Sequence, residues 1–272
     1  MWSSTGWSPL AADPGDAAAL LAALPADAYD FVLVLARAGS AVMLVPVLGE
    51  AELPTTIRAG FALLLTLLLL PVVQPALPAT ASTPIAVLGQ IGAEILTGLF
   101  LGWLARLVLM ALSLAGQLAS LGTGLSSVLQ PDPALGTQVS VLTRAFSVAA
   151  PVLLMAAGLH RLPLAALAGS YTVIPAGQSL PAGATAQEVV RAVGACFALA
   201  CRLAAPFLAA SLLWQLAVGL LGRLAAQLQP AQLAQPLQLL GSLALLALLP
   251  LLLLATWLDR AGYVLAALPG LR

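Results

Sequence analysis

Residues 59–93 and residues 224–258 each run for 35 positions without a charged side chain. A transmembrane helix needs about 20 predominantly apolar residues, so each run has room for one span and a loop. Backbone polar groups in such runs must be satisfied within the protein, because hydrocarbon offers no hydrogen bonds. The rest of the chain agrees. Of 272 residues, 61% are hydrophobic and only 10 are basic and 10 acidic, with a mean hydropathy of +1.06. Charged residues make up 7%, against about 25% in soluble domains. The fold class expected is all-α, a polytopic integral membrane protein.

The inventory also narrows the chemistry. All ten basic residues are arginine, so neither a P-loop lysine nor a lysine Schiff base is available. A formal net charge of zero offers no basic patch for nucleic acid. His160 is the one histidine, and the two cysteines are Cys196 and Cys201. Such a set is too small for a zinc site within the chain, and both cysteines read as small apolar packing residues. No nucleophile-elbow or dinucleotide-binding motif is present. The expectation is no enzyme, no catalytic residues, no metal and no cofactor. Ala17–Leu24 is apolar but short, and Asp13 and Asp16 precede it instead of a basic region, so it is not expected to be a signal peptide.

Along the chain, residues 1–30 read as a proline-punctuated preamble, 31–258 as one helical membrane domain and 259–272 as a tail. Six main apolar segments stand out, and Pro46, Pro71, Pro75 and Pro78 punctuate the first two. The third, Ile85 to Leu129, has no proline. As one straight helix it would exceed a ~30 Å hydrocarbon slab about twofold, so it should break near Gly116–Gly124 or fold back on itself. Pro206 should divide the long segment from Val189 to Leu221. Four early aspartates and the late arginines Arg260 and Arg272 put the N-terminus outside and the C-terminus in the cytoplasm. An even count of six segments puts both ends on one side.

Glu94, Gly98, Gly102 and Arg106 recur every four residues and so share one helix face. The two glycines permit close approach of a neighbouring helix. Glu94 and Arg106 are three turns apart, so each needs a partner on another helix. Either the strip lines a pore or subunit interface, or it is ordinary ion pairing within the bundle. Arg37 and Arg144 are further candidates for buried partners. Ser113, Gly116, Ser120 and Gly124 form a second small-residue strip. Residues 122–138 are irregular, and Pro131-Asp132-Pro133 cannot continue a helix. Irregular backbone at membrane depth is tolerated where protein or a water path surrounds it, which suggests a constriction or plug; a surface loop is the alternative.

These pieces together resemble the FliR family, the export-gate subunit of bacterial flagellar type III secretion. Arg37-Ala-Gly-Ser to Val45-Pro-Val-Leu-Gly, followed by Leu53-Pro to Arg58-Ala-Gly-Phe, looks like the family's first hairpin. Glu94-Ile-Leu-Thr-Gly-Leu-Phe-Leu-Gly looks like its third-segment signature. Gly122-Thr-Gly-Leu-Ser and Gln130-Pro-Asp-Pro resemble its glycine-rich helix end and plug loop. Ala205-Pro206-Phe207 to Gly219-Leu-Leu-Gly-Arg223 resembles the start of its C-terminal hairpin, although the turn after Arg223 departs from the family's pattern.

The resemblance implies bent helical hairpins in a hetero-oligomer with two other small membrane subunits around a central pore, partly lifted out of the bilayer. The implied location is the bacterial inner membrane, in the flagellar basal body, and the implied cargo is unfolded flagellar protein. The pore-plug loop would be Ser126, Ser127, Val128, Leu129, Gln130, Pro131, Asp132 and Pro133. The rival readings are the same role in a virulence-type injectisome, a small-solute secondary transporter and a passive assembly scaffold.

Overall fold

The computed structural model describes residues 14–50, 52–79, 83–123, 129–131, 138–224 and 230–271. Eight α-helices follow one another among them: α1 (Pro14–Val42), α2 (Thr55–Val73), α3 (Pro84–Thr123), α4 (Val141–Ala156), α5 (Arg161–Val173), α6 (Ala182–Leu224), α7 (Pro230–Leu248) and α8 (Pro250–Ala266). A two-stranded antiparallel ribbon, β1 (Leu129–Pro131) and β2 (Gln138–Ser140), stands between α3 and α4. The protein is all-α in architecture, with this ribbon as its one strand pair among the described residues.

Prolines and glycines set the helix limits. Pro84 and Pro250 open α3 and α8, where a missing N–H costs nothing because the first turn has no partner for it. Ser140 caps α4 by accepting from the Thr143 N–H at 3.2 Å. Gly158, at φ +70°, lies in the bend between α4 and α5, which turns the chain by 72°. α1 runs unbroken across residue 30 and α8 across residue 259, so both limits drawn from the sequence fall inside helices.

One sequence expectation is met at the far edge of its window and one needs correction. α3 does not fold back before Thr123; it ends there, within the Gly116–Gly124 stretch where a break was expected, as one helix of 40 residues, about 60 Å long. Gly116 and Gly122 are notches, not breaks. A Cβ at Gly116 would lie 3.0 Å from Phe146 of α4, and one at Gly122 would lie 2.7 Å from the Ser211 Oγ of α6. Those contacts offset the ~1 kcal/mol that glycine costs inside a helix. Nor does Pro206 divide α6, which continues through it for 43 residues. Leu203, Ala204 and Phe207 are buried on both sides of the proline, and Leu203 and Phe207 share the larger core with α3.

α3 is the axis of the molecule. α1 lies on it at Gly98 and Gly102, α4 at Gly116, and α6 from Leu107 to Gly122. The larger core joins Leu112 of α3, Leu154 of α4, Phe207 of α6, and Trp257 and Leu265 of α8. The Trp257 Nε1–H is satisfied by the Val108 carbonyl at 3.0 Å. A smaller core joins Val34, Ala38 and Ala41 of α1 to Leu69 of α2 and to Leu167 and Tyr171 of α5.

Among the described residues, three helices are long and apolar enough to cross a membrane, or up to five if each bent pair, α4–α5 and α7–α8, forms one span. Six segments were expected from the sequence. In the most apolar stretch of α3, 61% of residues are buried within the chain, against 28% in α2 and α6. The hydropathy of α3 therefore serves internal packing as much as contact with lipid.

Candidate functional site

The most concentrated polar chemistry lies where α1, α3 and α5 meet. Arg37 of α1 and Glu94 of α3 are both fully buried. Arg37 Nε donates to Glu94 Oε2 at 2.6 Å, and Nη2 donates to Oε1 at 3.0 Å. This is the bidentate fork that suits guanidinium and carboxylate. Arg37 Nη1 donates to Ser170 Oγ at 3.1 Å and to the Ile174 carbonyl at 3.0 Å. Ser170 passes its own proton to the Leu167 carbonyl at 2.7 Å, so its oxygen is free to accept. The Gly177 N–H donates to Glu94 Oε1 at 2.6 Å. The Tyr171 ring lies 4.1 Å from the guanidinium carbon, in cation–π contact. The Tyr171 hydroxyl is buried without a hydrogen-bond partner among the described residues.

Local backbone makes this node possible. Gly98, one turn beyond Glu94, sits against the Arg37 carbonyl and Ser40 Oγ, where a Cβ would collide. α1 and α3 therefore approach backbone to backbone, and Ser40 turns its hydroxyl back to the Ala36 carbonyl at 2.6 Å. Gly177 holds φ at +75°, a left-handed conformation that glycine adopts at no steric cost. That turn aims its N–H at the carboxylate. A buried charge pair of this kind is stable only when its remaining donors and acceptors are also satisfied.

Gly102 continues the contact with α1. A Cβ there would lie 2.7 Å from the Ala41 carbonyl. Arg106 ends the strip and reaches the loop between α1 and α2. It donates to the Gly49 carbonyl at 3.0 Å and stands 3.5 Å from Glu50 Oε2. Burial pushes the Glu50 carboxyl above its ordinary range, and the attraction of Arg106 only partly opposes this. Arg144 of α4 stands 3.4 Å from Glu52, with both side chains substantially exposed, so that pair contributes little.

At the other end of α3, Ser120, Ser140, Thr143 and Gln117 form a second polar cluster. Ser140 Oγ lies 2.7 Å from both Ser120 Oγ and Thr143 Oγ1, and Thr143 Oγ1 donates to Gln117 Oε1 at 2.9 Å. Of the expected plug residues, Ser126, Ser127, Val128, Asp132 and Pro133 lie outside the described residues. Leu129, Gln130 and Pro131 form β1, in register with Ser140, Val139 and Gln138. Among the described residues no group of three or more His, Cys, Asp or Glu could hold a metal ion.

Residues 28–262 match the protein family described as bacterial export proteins, family 1. The flagellar biosynthetic protein FliR of Caulobacter vibrioides is 36% identical over 201 residues, 74% of this chain and 80% of that protein. The FliR protein of Pectobacterium carotovorum subsp. carotovorum is 30% identical over 202 residues, 74% of each chain. That of Escherichia coli strain K12 is 28% identical over 186 residues, 67% of this chain and 69% of that one. The chain belongs to the FliR family of bacterial export proteins.

For this FliR-family chain the sequence strip from Glu94 to Arg106 faces α1 and the loop after it. The sequence placed Arg37 and Glu94 as charges in need of partners, and the structure joins them. Ser170, Tyr171, Ile174 and Gly177 were not among the candidate site residues. The available signal was a Ser-Tyr pair inside an apolar run and a glycine soon after Pro175.

Proposed function

We propose that this chain is a non-enzymatic subunit of the flagellar type III protein export gate in the bacterial inner membrane. It joins other small membrane subunits and forms part of the wall of a pore through which unfolded flagellar proteins leave the cytoplasm. The observation that carries this reading is the family match across residues 28–262. The relatives named above are flagellar biosynthetic proteins, which favours the flagellar role over an injectisome.

The physical character of the chain supports the reading. A gate needs a rigid wall more than a reactive centre. α1, α3 and α5 are braced by a charge pair with both members fully buried. α2, α6 and α7 present leucines such as Leu64, Leu68, Leu212, Leu216 and Leu240 to the outside. Surfaces that apolar need lipid or other subunits to cover them. The segment Ser126–Pro133 closes the pore in this reading, and the pairing of β1 with β2 fastens its C-terminal side.

The test deletes Ser126–Pro133 from the chain in cells that lack their own FliR-family subunit. The expected result is an assembled gate that leaks ions across the inner membrane. A full-length chain that fails to restore flagellar export overturns the functional reading. A deletion that assembles without added ion leak overturns the plug assignment.

A further inference from the structure

We infer that Gln117, Ser120, Ser140 and Thr143 are the positioning residues of the plug. They hold its ribbon closed against α3, and the Ser120–Ser140 contact parts when the ribbon turns about Ser140 to let a chain through. The inference rests on the reading of this chain as a gate subunit with a plug between α3 and α4, and it assigns the residues that keep that plug in place.

Ser120 and Ser140 are both fully buried, and a buried hydroxyl is costly unless it is paired. These two pair with each other at 2.7 Å. Ser140 also meets Thr143 Oγ1 at 2.7 Å, and Thr143 donates on to Gln117 of α3. Ser140 is at once the last residue of β2, opposite Leu129 of β1, and the N-cap of α4. The cluster is therefore the point where the ribbon, α3 and α4 are joined. The other root of the plug is held by similar chemistry. Gln238 Nε2 of α7 donates to the Gly122 carbonyl, in the last turn of α3, at 3.1 Å.

Three features make this hold releasable. The bonds named here join neutral groups, which are weaker than a charged fork such as Arg37–Glu94. Parting Ser120 from Ser140 leaves Ser120 hydrogen-bonded, because its Oγ keeps the Gly116 carbonyl at 2.7 Å. And α4 need not move with the ribbon. Leu142, Phe146, Ala150 and Leu154 seat it in the larger core, and Gly116 brings α3 against Thr143 and Phe146. Ser140 itself has extended backbone, at φ −68° and ψ 151°. It lies between a helix anchored by apolar packing and a ribbon joined to α3 at a hydroxyl pair. Hinges are residues of this kind, at the ends of elements, where a change in φ and ψ can be absorbed.

The test locks the contact reversibly. Ser120→Cys with Ser140→Cys is built into the full chain, with Cys196→Ala and Cys201→Ala to remove the native thiols, in cells that lack their own FliR-family subunit. Copper phenanthroline should close a 120–140 disulfide and stop flagellar export, and dithiothreitol should restore it; the two single-cysteine chains should ignore the oxidant. Separately, Ser120→Ala should raise the resting ion leak about fivefold, the effect of one net hydrogen bond, and Ser120→Thr, which keeps the hydroxyl, should leave it low at equal assembled amount. A disulfide that forms while export continues overturns the proposal, as does a double-cysteine chain that exports but forms no disulfide. If the double-cysteine chain does not export even in dithiothreitol, the leak of Ser120→Ala against Ser120→Thr decides, and equal leaks overturn the proposal. A wild-type chain that fails to restore export overturns the gate reading itself, whereas a wild-type chain that exports beside a locked chain that also exports overturns only the latch.

Discussion

Arg37 and Glu94 stand 57 residues apart in the chain and meet through two hydrogen bonds at 2.6 and 3.0 Å, both side chains shut off from solvent. Neither helix could bury its charge alone. α1 carries the cation and α3 the anion, and Gly98 lets the two backbones close on the pair. The node also fixes the exit of α5, because the Ile174 carbonyl and the Gly177 N–H are tied to the two charges. One charge pair therefore sets the relative position of three helices and the turn that leads into α6.

Glu94→Gln should destabilise the chain by about 3–5 kcal/mol, the usual cost of leaving a buried charge unpaired. The double variant Arg37→Met with Glu94→Leu should be less harmful than either single change, because it removes the stranded charge. Unfolding of the purified chain in detergent, read as a double-mutant cycle, measures the coupling. Additive losses would mean that the two residues do not act as a pair.

Gly98→Ala should cost about 1–3 kcal/mol, since its methyl group forces α1 away from α3. Gly89 lies on the same helix with open space around its Cβ position, so Gly89→Ala should stabilise by about 0.5–1 kcal/mol. The same unfolding assay compares them. The opposite order would show that the close approach of α1 is not what Gly98 provides.

Glu50 gives a pH-dependent signature outside the spans. Its folded carboxyl titrates above the ordinary 4.5 because burial outweighs the pull of Arg106. A raised folded value means that stability from this group is fully present below pH 4.5 and is lost as pH rises through the folded value. The melting temperature of Glu50→Gln minus that of the wild type should therefore climb with pH across that window and then level off. A flat difference would show that Glu50 does not titrate above the ordinary range.

Much of this was legible because charge is so scarce. In a chain with 20 charged side chains, an arginine or glutamate inside an apolar run announces a partner, and the four-residue spacing from Glu94 to Arg106 identifies one face. The identity of the partner was not legible, because periodicity describes one helix and says nothing about the helix that lies against it. Half of the node was invisible for a second reason: the Ile174 carbonyl and the Gly177 N–H are backbone groups that any residue can offer. Which glycine of the Gly116–Gly124 stretch ends α3 was not legible, because glycine is both a helix breaker and a packing notch, and only a neighbour such as Phe146 or Ser211 decides which. Pro206 was misread, since α6 continues through it with Leu203 and Phe207 buried in the core on either side.

Ser140 serves two structures at once, and its removal should separate them. It caps α4 through the Thr143 N–H and bridges to Ser120 on α3. The hydroxyl protons are rationed. Ser120 donates to the Gly116 carbonyl and Thr143 to Gln117, so Ser140 has one proton for two neighbouring oxygens. Ser120→Ala deletes the bridge and leaves the cap, and should be the milder change. Ser140→Ala deletes both, and loss of the cap alone costs about 1 kcal/mol. Hydrogen exchange at the Thr143 amide should accelerate in Ser140→Ala and change little in Ser120→Ala. Equal acceleration in both variants would mean that the hold on the start of α4 comes from the bridge to α3 and not from the cap.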